Sequence, residues 1–282
     1  MALVTCRAHG LRYDPSVASG CVLCRRTSRP PARSGGGGAR VVVVAALVAC
    51  AVGGGLLAWR NLGGGAGARA HAAGSETTLR TMNRDGRSGA AYVPSHDPAR
   101  PLPLLVAIHG TGSSGHAAVA AFRAMADANG FAIVAPESRK SPHGQWTWEV
   151  GDHAGEVTED YAHVMACVRE VTADLRVDAE HVLIVGHSGG ASTAPYVATN
   201  EPLFTAFAVL HGGVFPGGFG THRVRGWFSS GNHDPLRPAD GVARAADAAR
   251  SAGVGDVEMH VFEGGHEVSA AEMDALVAWW LR

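Results

Sequence analysis

The stretch 181–194, His-Val-Leu-Ile-Val-Gly-His-Ser-Gly-Gly-Ala-Ser-Thr-Ala, constrains this chain more than any other. A β-branched apolar run at 182–185 meets a glycine-flanked serine and then small residues able to form a helix. That order is strand, sharp turn, helix, with Ser188 at the turn. A serine held there leaves no room for side chains two positions before and after it, so Gly186 and Gly190 stand where Cβ atoms would collide. Ser188 is therefore the candidate nucleophile. In a chain with 38 glycines a Gly-x-Ser-x-Gly match means little alone, and the surrounding pattern has to decide.

From residue 77 onward, strand and helix patterns alternate. Strands are expected at 77–82 and 90–93 around the Asp85-Gly86 turn, then at 102–109, 131–135, 182–185, 204–210, 224–229 and 257–262. Helices are expected at 116–129, 157–175, 239–251 and 270–281. Continuous apolar strands separated by helices make an α/β fold with a mostly parallel central sheet covered by helices on both faces. Reactive groups in such sheets gather at the carboxyl ends of the strands. Ser188 ends one strand, Asp234 follows the strand ending near Ser229, and His266 follows the strand ending at Phe262. A serine hydroxyl is a poor nucleophile without a base, and the base needs an orienting acceptor. Asp240 is the rival acid, but its place at a helix start has its own explanation in the helix dipole. His260 lies inside a strand pattern and His233 adjoins the acid, whereas His266 occupies a glycine-rich loop just past the last strand.

The His109-Gly110-Thr111-Gly112 loop after an apolar strand, the Gly186-His187-Ser188-Gly189-Gly190 turn, Asp234 and His266 occur in one order. On these elements, residues 77–282 resemble the α/β-hydrolase superfamily, and within it the short esterases grouped with polyhydroxybutyrate depolymerases and feruloyl esterases. The resemblance implies Ser188 as nucleophile, His266 as general base and then acid, and Asp234 as the group that orients the imidazole and stabilises its cation. It also implies an oxyanion hole from the backbone N–H groups of Thr111 and Gly189. A small or polymer-attached carboxylic ester is the implied substrate, with no cofactor for catalysis. Thioester hydrolysis, amide hydrolysis and acyl transfer use the same triad, and a catalytically inactive ligand receptor is the rival from another class. A short glycine-rich connection between 210 and 224 leaves no place for a large cap domain, so an open cleft is expected. Trp146 and Trp148 fit either a substrate-binding pocket or a cover for the sheet edge. Cys167 falls in a helical pattern and is read as buried, with no second cysteine downstream of it for a disulfide.

The N-terminal part reads differently. Residues 1–40 carry seven arginines against one acid, Asp14, whereas residues 61–282 carry 16 basic and 24 acidic residues. Between them, residues 41–59 hold no charge, and as a helix would cover roughly 28 Å, close to the hydrocarbon thickness of a bilayer. A single transmembrane helix is the reading, with the arginine-rich N-terminus cytoplasmic and the hydrolase-like domain extracytoplasmic, facing the periplasm of a bacterium. Leu47-Val48-Ala49-Cys50 offers an alternative as a lipidation signal. Cys6, His9, Cys21 and Cys24 form two close pairs of soft ligands, the set a structural zinc ion needs. The expected organisation is a zinc-ribbon-like cytoplasmic head at 1–29 with a protein partner of its own, a basic linker at 30–40, the span at 41–59, a Gly/Ala-rich linker at 60–76 and the hydrolase-like domain at 77–282. With 17% charged residues and a net charge of −1, nucleic acid is not an expected partner.

Overall fold

The computed structural model describes residues 4–5, 12–13, 74–79, 87–140 and 146–282, with Val4, Thr5, Arg12, Tyr13, Lys140 and Trp146 described by their backbone alone. The chain divides into two compact units, Met1–Gly67 and Ala68–Arg282. In the first, β1 (Val4–Thr5) and β2 (Arg12–Tyr13) pair antiparallel, Val4 opposite Tyr13. The expected zinc ligands Cys6, His9, Cys21 and Cys24, the 30–40 linker, the 41–59 span, nearly all of the 60–76 linker and the Asp85-Gly86 turn lie outside the described residues. Among the described residues no helix is long and apolar enough to cross a membrane.

The second unit is built on an eight-stranded sheet in the order β12-β11-β10-β9-β5-β6-β4-β3. Its strands are β3 (Ser75–Thr78), β4 (Gly89–Val93), β5 (Leu102–Ile108), β6 (Ala132–Pro136), β9 (Val177–His187), β10 (Ala206–Leu210), β11 (Arg225–Gly231) and β12 (Val257–Phe262). β4 runs antiparallel to both neighbours, and every other pair is parallel. A two-stranded ribbon, β7 (Arg139–Lys140) with β8 (Trp146–Thr147), leaves the sheet after β6.

Alternation along the buried strands divides the core in two. Leu104, Val106 and Ile108 of β5 face one layer, with Val164 and Val168 of α2 (Glu159–Thr172), Val197 of α3 (Thr193–Ala198) and Val242 of α4 (Ala239–Ser251). Leu105 and Ala107 face the other, with Val119 and Phe122 of α1 (Gly115–Asn129) and Leu276 and Trp280 of α5 (Ala270–Trp280). Pro103 sits inside the central strand, where a missing N–H would normally break the ladder. The β5–β9 register shifts between Leu102 and Leu104, at that residue, and the pairing of β5 with β6 begins only at Leu104.

Several boundaries differ from the sequence expectation. The first strand is Ser75–Thr78 rather than 77–82. α2 is shorter than 157–175 because Thr158 caps it by accepting the Tyr161 N–H, which leaves Val157 outside and exposed. β9 starts at Val177, five residues before its apolar run, because its first half is solvent-facing. Residues 211–224, where a cap domain would be inserted, hold no helix or strand.

Candidate active site

β9 delivers Ser188 at φ 50°, a left-handed backbone that a non-glycine residue adopts only under constraint. The constraint is close packing of the turn. A Cβ on Gly186 would lie 2.2 Å from the Gly190 carbonyl oxygen, and one on Gly190 would lie 2.5 Å from that of Ile108. The steric reading of the two flanking glycines thus corresponds to real contacts.

Two loops bring the acid and the base to this turn. The loop after β11 carries Asp234 and the loop after β12 carries His266. They are zipped together by Asn232 N–H to Phe262 O at 2.8 Å, His233 N–H to Gly264 O at 2.9 Å, and Gly264 N–H to the Asn232 side-chain oxygen at 3.1 Å. The result is a continuous relay. Ser188 Oγ lies 2.8 Å from His266 Nε2, and His266 Nδ1 lies 2.8 Å from Asp234 Oδ2. Asp234 is buried, yet all its acceptor capacity is used: Oδ1 takes the N–H groups of Leu236 and Arg237, both at 2.8 Å. Burial opposes its charge, but these backbone donors and two imidazoles outweigh it and hold the carboxyl down to about 2.

The second imidazole on Asp234 belongs to His211, which the sequence reading did not single out. His211 Nδ1 lies 2.9 Å from Asp234 Oδ2, and its Nε2 lies 3.2 Å from Glu272 Oε2 of α5. Glu272 Oε1 accepts the Ser229 hydroxyl at 2.6 Å, and Ser229 Oγ accepts the Trp227 indole N–H at 3.1 Å. His187, next to the serine, sits on the other side, its Nε2 donating to the His266 carbonyl at 3.1 Å. Burial pushes the His187 imidazole down to about 4, so it stays neutral and braces the His266 backbone. His211, Asp234 and His266 bring ligand atoms within 4.8 Å of one another, but both imidazoles aim their Nδ1 atoms at the same carboxylate oxygen, the pattern of donors converging on an acceptor.

The Thr111 loop, the candidate source of one oxyanion donor, is held by its own turn. Residues 110–113 form a turn closed by Ser113 N–H to Gly110 O at 3.1 Å, with Gly112 at φ 79° as a type II turn requires. The Gly110 carbonyl also accepts from His109 Nδ1 at 2.9 Å, while His109 Nε2 accepts the Ser138 N–H at 3.2 Å. With its oxygen held twice on one side, the planar Gly110–Thr111 peptide must present the Thr111 N–H on the other. A Cβ built on Gly189 would lie 3.0 Å from that nitrogen, so the two candidate donors are neighbours.

Trp148 lies behind this loop. Only 8% exposed, its indole N–H donates to the His109 carbonyl at 2.8 Å, and its ring lies 5.3 Å from that of His109. Its contact is with the 109–113 loop, which the sequence did not reveal; the side chain of Trp146 lies outside the described residues. A buried ionic cluster steadies the segment: Asp160 pairs with Arg87 and Arg139 and accepts the Glu149 N–H beside Trp148. A groove of about 670 Å³ opens between α4 and residues 212–219, lined by Phe215, Phe219, Leu236, Arg237, Arg244 and Ala248.

The esterase PHB depolymerase family model matches residues 87–282. The chain belongs to this family. Among curated proteins, this PHB-depolymerase-type esterase domain is similar to "Putative esterase NocK" of Nocardia uniformis subsp. tsuyamanensis, 31% identical over 193 residues, covering 63% of this chain and 54% of that one. The chain thus spans about half the length of the curated relative it matches. Among solved structures, a ferulic acid esterase superposes with a TM-score of 0.54 at 18% identity, covering 74% of this chain and 96% of its own. Esterase PE8 does so with a TM-score of 0.52 at 19% identity, covering 73% and 97%. These likenesses show that the chain has an α/β-hydrolase-like fold.

Proposed function

We propose that this protein hydrolyses carboxylic esters through an acyl-enzyme on Ser188. The observation that carries the reading is the imidazole of His266, hydrogen-bonded to Ser188 on one edge and to an ionised, buried Asp234 on the other. As Ser188 Oγ attacks the acyl carbon, its proton passes to His266 Nε2, and the negative charge moves to the carbonyl oxygen facing the Thr111 and Gly189 N–H groups. His266 then gives the proton to the departing alkoxide. Water repeats the sequence on the acyl-enzyme, its proton passing through His266 back to Ser188 as the acid leaves. Asp234 stays ionised throughout and stabilises the imidazolium.

The groove between α4 and residues 212–219 is lined mostly by apolar residues with Arg237 and Arg244, which suits an alkyl or aromatic substituent of the ester. The short 211–224 connection supports access by small or polymer-attached esters without a gating lid. The charge asymmetry and the uncharged 41–59 segment support a membrane-anchored protein with this domain extracytoplasmic, and Cys6, His9, Cys21 and Cys24 support a structural zinc ion in the cytoplasmic head.

The test is hydrolysis of nitrophenyl esters from acetate to long acyl chains, plus a feruloyl ester, by the full chain and by Ser188→Ala. The variant is expected to lose on the order of 10⁴ in kcat or more. Equal turnover by both proteins, or none by the folded parent, overturns the reading.

A further inference from the structure

Asp234 Oδ2 accepts from two imidazoles, and only one of them reaches the serine. His211 is fully buried, and its backbone has φ 52°, a left-handed conformation that a histidine adopts only when its surroundings fix it. Its ring is clamped at both nitrogens by buried carboxylates, Asp234 at 2.9 Å and Glu272 at 3.2 Å. Asp234 is ionised, and the second oxygen of Glu272 already accepts from Ser229. The pair of carboxylates is satisfied when both ring nitrogens of His211 carry protons.

We infer that His211 is a positioning residue for the triad: a buried imidazolium, held by Glu272, that shares Asp234 with His266 and thereby keeps the catalytic base unprotonated to lower pH. This rests on the triad reading above. A cation beside Asp234 offsets part of the attraction that Asp234 exerts on a second proton at His266. The same hydrogen bond fixes the carboxylate plane on which His266 is aligned. Burial disfavours the charge on His211, but the hydrogen bonds it donates to Glu272 and Asp234 outweigh it, and its pKa is raised.

The groups facing His211 come from every neighbouring element: Asp234 from the loop after β11, Glu272 from α5, His187 from the serine turn, and His266 with the exposed Glu267 from the loop after β12. His187 is neutral, so the local balance sets two buried carboxylates against the imidazoles of His211 and His266.

The test is titration of His266, followed by the ¹⁵N signals of its imidazole, in the full chain and in His211→Asn and His211→Gln. Asparagine tolerates the left-handed backbone, and neither side chain carries charge. The titration midpoint of His266 is expected to rise by about one pH unit in both variants. Wherever the parent turns over an ester, the acid limb of its kcat/KM profile should move by the same amount. A merely structural role would lower the melting temperature and leave the midpoint in place; an unchanged or lowered midpoint overturns the inference. If neither variant folds, the unmutated protein decides: a His211 ring with both nitrogens protonated at pH 7 supports it, and one bare nitrogen overturns it. A parent that shows the expected His211 and His266 states but cleaves no ester would sink the esterase reading and leave this one standing.

Discussion

Three histidine rings lie within 6 Å of one another around Asp234, and the environments of His187 and His211 push their protonation in opposite directions. His187 is held neutral by burial, with a pKa near 4 against 6.5 in the unfolded chain. Below 6.5 the unfolded state takes up a proton that the native state refuses, so this residue costs stability progressively as pH falls from about 6.5 to 4. His211 acts with the opposite sign, its raised pKa favouring the native state at low pH and losing that advantage as pH rises through its folded value. Melting temperature measured across pH 4–7 should therefore fall less steeply in His187→Gln than in the parent; identical slopes would refute the neutral assignment. None of this was legible in the sequence at the level of single residues. Ser188, Asp234 and His266 announced themselves by falling just after apolar strands. His211 also follows one, in Leu-His-Gly-Gly, but nothing local marks it, and its partner Glu272 disguises itself as the third helical residue of a Ser269-x-x-Glu272 capping box. Ser269 does cap α5, accepting the Glu272 N–H at 3.2 Å, while the carboxylate turns inward to His211.

At the level of elements, the period of apolar residues identified the buried strands and their helices, because each buries one or both faces, whereas the exposed Ser75–Thr78 strand was placed only approximately. It could not supply long-range polar contacts. Arg87 and Asp160 are 73 positions apart, and Trp148 reaches the His109 carbonyl across 39. That last bond braces the loop that carries Thr111, proposed above as an oxyanion donor. Trp148→Phe removes the indole N–H while keeping most of the packing, at a stability cost of about 1 kcal/mol. The predicted signature is a lower kcat with KM little changed, since the oxyanion forms only in the transition state; a change confined to KM would return Trp148 to the substrate pocket. The groove along α4 makes a separate prediction. Ala248 is exposed on its rim, so Ala248→Trp should fold normally, leave nitrophenyl acetate turnover unaltered and lower kcat/KM for longer or aromatic esters. Equal effects on all chain lengths would mean that the ester does not use this groove.

For the whole molecule, the division between an arginine-rich N-terminal part and an acidic remainder is a property of the sequence, and it motivates the anchored topology proposed above. Added protease should digest residues 60–282 in intact spheroplasts while sparing an epitope at the N-terminus; protection of both ends would reject that orientation. The family assignment covers residues 87–282, and the chemistry proposed for them converges on one atom, Ser188 Oγ. Its activation is best tested by reacting the full chain with a fluorophosphonate and mapping the adduct by mass spectrometry. Stoichiometric phosphonylation of Ser188, lost in Ser188→Ala and strongly slowed in His266→Ala, is the predicted result. A folded protein that stays unmodified, or that is modified at another residue, would contradict the account.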